Sequence, residues 1–93
     1  MNYDPNKPTE LKEWVPVDMG RHMKLAGDVY NHPRKPIIRD GDDVLTTALV
    51  AFDPTTQRCR THSGTVYQLH APHSTGAERF WSILQSLNLP KEV

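Results

Sequence analysis

The sequence is poor in the residues that would commit it to one chemistry. It has one cysteine, Cys59, so no disulfide can form within the chain. Secreted domains of this size are usually stapled by several disulfides, and their lack points to a reducing, cytoplasmic setting. Neither sign of charge is in excess: 11 Lys and Arg balance 11 Asp and Glu. A dedicated nucleic-acid binder usually carries a basic surplus, so the balance argues against that class but leaves room for a local basic patch. No apolar run is long enough to span a bilayer, and no signal-peptide pattern follows Met1. There is no glycine-rich phosphate loop, no internal repeat and no low-complexity tract.

What is present fits a single small domain. A chain of 93 residues buries only about 60–65% of the surface that its unfolded form exposes, so its core is small. The clearest signal lies in 43–70. It reads DVLTTALVAF, DPTTQ, RCRTH, SG and TVYQLH: three strand-like runs and two turns. β-Branched and aromatic residues such as Val44, Thr46, Val50, Phe52, Thr61, Val66 and Tyr67 suit a pleated, half-buried surface. Asp53-Pro54 places Asp and Pro at the first two positions of a type I turn. Ser63-Gly64 reads as a two-residue hairpin turn. That turn sets Thr61 opposite Val66, Arg60 opposite Tyr67 and Cys59 opposite Gln68. One face then carries Arg58, Arg60, His62, Tyr67 and Leu69. The first hairpin is open between a two-residue loop and a three-residue loop with a bulge.

The remainder is organised around this meander. Residues 1–8 are polar and expected to be disordered or laid loosely on the surface. Thr9 can cap a short helical turn through Trp14 that Pro16 ends, with Trp14 packed as a pin for the segment. Met23, Leu25 and Val29 alternate with polar residues, so 21–32 reads as a strand, and Gly27 marks a bulge or a close backbone approach. Ile37-Ile38 suits another short strand, followed by a turn at Asp40-Gly41. The expectation is a five-strand antiparallel meander over 22–70. Ala77, Phe80, Trp81, Leu84 and Leu87 then recur at helical spacing, with Phe80 and Trp81 expected in the core. They predict a helix over 75–88 with a Thr75–Glu78 capping box and Asn88 as its stop. The fold class is α+β, mainly β: a small antiparallel sheet or SH3-like barrel roofed by one C-terminal helix.

Three constellations bear on function. Cys59-x-x-His62 with His70-x-x-His73 has the ligand types of a zinc site. Residues three apart on a strand point to opposite faces, however, so those four suit a metal poorly. The carboxylates Asp40, Asp42, Asp43 and Asp53 are explained as turn residues, and no His stands ready to activate Cys59, so no enzyme is expected. No cofactor is implied. The third set is Arg34, Lys35, Arg58 and Arg60 with Tyr67 and Tyr30, a mixture of cations and aromatic rings that can grip a partner.

Val29-Tyr30-x-His32-Pro33-Arg34, the Thr46-Thr47 pair and Thr61-x-Ser63-Gly64-x-Val66-Tyr67-x-Leu69 also resemble a recurrent pattern in short uncharacterised bacterial and phage-borne proteins. The resemblance covers about half the chain and implies a compact accessory protein, without an assigned activity. The expectation is therefore a non-enzymatic binding or regulatory module that occupies a macromolecular partner, such as a host-factor inhibitor. A protein is the first choice of partner, through Arg58, Arg60 and Tyr67 with the His32–Lys35 loop. An RNA- or single-stranded-DNA-binding barrel and a zinc protein are the alternatives. A monomer or a homodimer through an edge strand fits the pattern, because unpaired ladder groups invite another strand.

Overall fold

The computed structural model describes residues 2–73 and 76–93. It is mainly β, with six strands and one C-terminal helix: β1 (Thr9–Asp18), β2 (Met23–Tyr30), β3 (Asp42–Leu45), β4 (Leu49–Asp53), β5 (Arg58–Thr61), β6 (Val66–Leu69) and α1 (Ala77–Leu87). The strands form one mixed sheet in the order β3-β2-β1-β6-β5-β4. The sheet is not closed into a barrel, because its end strands β3 and β4 do not pair with each other.

The helical turn expected at 9–14 is instead the start of β1, a central strand. Thr9, Leu11, Trp14 and Pro16 are buried on it. β1 pairs with β2 antiparallel on one side and with β6 parallel on the other. Two flanking ladders outweigh the weak cap signal of Thr9, whose hydroxyl donates instead to the carbonyl of Asn31. Pro16 is tolerated because β6 pairs only with 9–11, so the missing N–H faces no strand.

Gly27 is a point of close approach, as the sequence suggests. The register of β1 against β2 slips between Lys12 and Val15, and Glu13 has φ 50° there. A Cβ on Gly27 would stand 2.9 Å from both the Lys12 carbonyl oxygen and the Trp14 Cβ. This bulge turns Trp14 into the core.

The expected five-strand meander is corrected in two places. Ile37-Ile38 is not a strand: it lies in the 31–41 loop, where the N–H groups of both residues bond to the carbonyl of Arg34. The run 43–52 is not one strand either. It pairs with β2 as β3, kinks at 46–48, and pairs with β5 as β4. Thr46 makes the kink. Its N–H bonds to the Leu25 carbonyl at 2.8 Å, but the Leu25 N–H goes to the Thr46 hydroxyl at 2.9 Å. A side-chain oxygen has replaced a ladder carbonyl, and the backbone is released. Two residues later, the Ala48 carbonyl accepts from His62 N at 2.7 Å. One segment thus serves both ends of a strongly curled sheet.

β4, β5 and β6 form one antiparallel meander and β1, β2 and β3 another, and both registers of the former differ from expectation. Asp53 pairs with Arg58 across a four-residue loop in which Gln57 takes φ 57°. Cys59 pairs with Tyr67 and Arg60 with Val66. The Thr61–Thr65 backbone pair closes a three-residue loop, with Gly64 at φ 93°. A shift of one residue moves Tyr67 to the opposite face from Arg58 and Arg60.

The inner face holds Leu11, Met23, Leu25, Val29, Leu49, Cys59, Tyr67 and Leu69, all buried. Helix α1 covers one end of this face through Phe80, whose ring meets Trp14 edge-on at 4.8 Å and Phe52 at 5.2 Å. Trp14 also donates to the His70 carbonyl at 2.8 Å, so it is core. Trp81 is not core as expected; it stays 46% exposed beside Phe52. Asn88 stops the helix at φ 52°, ψ 51°, as read from the sequence. The capping box involves Thr75 and lies outside the described residues. Residues 4–8 are tied down by Asn31, whose amide donates to the carbonyls of Asp4 and Lys7.

Candidate functional site

The structure does not gather the six expected partner-binding residues into one patch. Arg58 is exposed on the outer face, where its Nε donates to Gln68 Oε1 at 2.9 Å. Arg60 is half-buried on the same face, beside exposed Val66. Tyr30 shares a cross-strand row with Glu10, Gln68 and Arg58 but lies three strands from Arg58, and its ring is covered by the Lys12 ammonium at 4.7 Å. Lys35 is paired with Asp40 at 2.8 Å. That contact, with the Asn31 N–H at 2.7 Å, holds the Asp40 carboxyl below its usual range. Tyr67 is buried on the inner face at 4% exposure.

The four residues with zinc-ligand chemistry are also apart. Cys59 is buried under the inner sheet face, and burial pushes its thiol up to about 12. His62 is exposed in the β5–β6 loop. His70 Nε2 stands 3.0 Å from Glu10 Oε1 on the outer side, and His73 is exposed before the helix. No group of three or more His, Cys, Asp or Glu that could hold a metal occurs among the described residues.

Three expected elements do converge at the open end of the sheet, away from α1. A groove of about 380 Å³ is lined there by the His32–Arg34 turn, the Thr46-Thr47 kink and the β5–β6 loop with Tyr67. Ile38, Val44 and Leu45 complete its apolar part. Asn31, in the left-handed region at φ 56°, ends β2 and turns the chain inward. His32 is thereby 7% exposed.

The protonation of this pair follows from its bonds. His32 Nδ1 lies 3.0 Å from the backbone N of Arg34, which can only donate. Nδ1 is therefore the acceptor, and the proton of the neutral ring sits on Nε2. Nε2 is 3.5 Å from the Tyr67 hydroxyl, which accepts from it. Burial, with the Arg34 charge nearby, lowers the His32 pKa and favours this neutral form. Burial raises the Tyr67 phenol to about 12, so it remains a proton donor.

A second chain of hydroxyls lies across the groove. Thr47 Oγ1 donates to Ser63 Oγ at 3.2 Å, and Ser63 N donates back to Thr47 Oγ1 at 3.0 Å. Ser63 Oγ is 3.2 Å from Thr61 Oγ1 and 3.5 Å from Thr65 Oγ1. These contacts lock the kink to the β5–β6 loop. Sequence reasoning missed Thr47, Ser63 and Thr65 as a group, because the assumed register placed Tyr67 with the arginines. The His32-Pro33-Arg34, Thr46-Thr47 and 61–67 segments meet here, far apart though they are in sequence.

In comparisons with known proteins, no family model, no curated protein and no solved structure matches this chain. The site is therefore argued from its own geometry.

Proposed function

We propose that this protein is a non-enzymatic binding or regulatory module that acts by occupying another protein, in the manner of a small bacterial or prophage accessory factor. One observation carries the reading: the mouth groove lies against β3, an end strand of the sheet. In the β2–β3 ladder Thr46 is the bonded partner of Leu25, so by alternation Val44 also points its backbone groups at β2. Asp43 and Leu45 then direct theirs outward, toward a further strand. Leu45 is 58% exposed, a large apolar side chain on an open edge. Edges of this kind accept an extended segment, with backbone bonds supplying affinity and neighbouring pockets supplying choice.

The site's chemistry supports binding over catalysis. Both His32 ring nitrogens are engaged, one by a backbone N–H and one by Tyr67, and neither activates a Ser or Thr hydroxyl. The outer-face cations support a nucleic-acid partner less well, because Tyr67 is not beside them to stack a base.

Affinity capture from bacterial lysate tests the proposal. Wild type and Arg58/Arg60→Ala are expected to retain the same partner, and Leu45→Lys is expected to lose it. No partner for wild type, or loss from the Arg58/Arg60 variant alone, contradicts it. A second copy of the chain on the same edge is the competing occupant, and it would show as concentration-dependent sedimentation.

A further inference from the structure

The groove is rich in donors and lacks a negative charge. Among the described residues its lining contains no carboxylate, and Arg34 is its one fixed charge. The Arg34 side chain is in no ion pair among the described residues, where Lys35–Asp40, Arg39–Asp42 and His70–Glu10 are the pairs formed. Tyr67 accepts from His32 Nε2 at 3.5 Å, and among the described residues its own hydrogen has no acceptor. Among the described residues the Thr65 hydroxyl touches only Ser63, at 3.5 Å, a contact as long as that between His32 and Tyr67. Three donors thus line one opening without a strong acceptor between them.

We propose that the groove receives the side-chain carboxylate of a Glu or Asp carried by an extended segment of the partner protein, laid along β3. This rests on the reading of the chain as a protein-binding module and adds the partner's chemistry to it. A carboxylate is acceptor-only, and two oxygens can serve Arg34, Tyr67 and Thr65 together. The apolar side chains that alternate with it along a strand point to the opposite face, where they would meet exposed Leu45. The acidic pair Asp42-Asp43 lies at the other end of β3, outside the groove, so it favours one placement of the negative charge along the edge. A nucleic-acid strand is the poorer occupant: among the described residues Arg34 is the one Lys or Arg that lines the groove, and the Tyr67 ring is 4% exposed, with no face for a base.

The test uses two blocked peptides, Ac-Thr-Val-Glu-Val-Thr-NH2 and its Gln counterpart, titrated into the full chain up to millimolar concentration and followed by amide resonances. The expected result is a shift of the Asp43, Leu45 and Thr65 amides, with the Glu peptide binding at least tenfold more tightly. Arg34→Gln, at an exposed position, and Tyr67→Phe, which keeps the ring, should each shrink that ratio several-fold. Equal affinity for the two peptides overturns the carboxylate and leaves the module reading standing. Shifts confined to the Arg58–Arg60 face overturn the groove as the site. Binding of neither peptide also overturns the proposal, while partner capture that is sensitive to Leu45 would show that the module reading survives.

Discussion

At the scale of single residues, His32 is the most informative side chain. It is buried at the end of a strand, and its ring is fixed by a backbone donor on one side and a phenol on the other. Its pKa in the folded protein is lowered from 6.5 by burial and by Arg34. As pH falls through 6.5, the unfolded chain takes up a proton at His32 before the folded one does. Stability therefore rises with pH across that window and is lost below it. Urea midpoints between pH 7.5 and 5 should fall more for wild type than for His32→Asn, which has no such proton to take up. Parallel pH profiles for the two proteins would mean that His32 is not desolvated. Cys59 shows a different use of burial: its thiol is up to about 12 and packed under the sheet, which suits a small core residue and not a nucleophile.

Elements are set by where backbone bonds go, and here sequence patterns divide into two kinds. β2, β5, β6 and α1 were legible because each has a regular apolar period and bounded ends. Asn88 and Gly27 were legible for their special backbone demands. β1 was not, because its bulge at Glu13 breaks the alternation of Leu11, Trp14 and Pro16 that would have marked a strand. The β3–β4 kink was not legible either, since Val44 to Phe52 is strand-like throughout and the break is made by one hydroxyl. That hydroxyl is testable. Thr46→Val keeps the shape and strands the Leu25 N–H, which should cost about 1–3 kcal/mol in denaturant unfolding. Thr47→Val, at an exposed position, should cost less. Gly27→Ala forces a methyl against Lys12 and Trp14, and should cost about 1–3 kcal/mol as overpacking. Wild-type stability in either Thr46→Val or Gly27→Ala would contradict the bond or the close approach assigned to it.

At the scale of the whole molecule, long-range pairing assembles the groove that local signals could only suggest. The parallel β1–β6 pairing places a strand from the start of the chain between elements that the sequence presents as neighbours. This carries β2 and its His32 turn to one side of Tyr67, and the kinked segment carries Thr47 to the other. The candidate loop residues His32 and Arg34 were legible. Their company was not, because it depends on a sheet order and on a hairpin register, and the register changes faces with one residue. The balanced charge has a counterpart in space: the cations are spread along the outer face and the 31–41 loop, and among the described residues Lys35 and Arg39 are the ones in ion pairs with carboxylates. No helix among the described residues is long and apolar enough to cross a membrane.

The assembly of the groove is the claim on which the functional reading rests, and proton–proton contacts in solution read it directly. The His32 and Tyr67 rings, with centroids 6.3 Å apart, should give nuclear Overhauser cross-peaks to each other, and Thr47 should give them to Ser63. Cross-peaks from the Tyr67 ring to the side chains of Arg58 and Arg60, with none to His32, would restore the register that the sequence first suggested and remove the site.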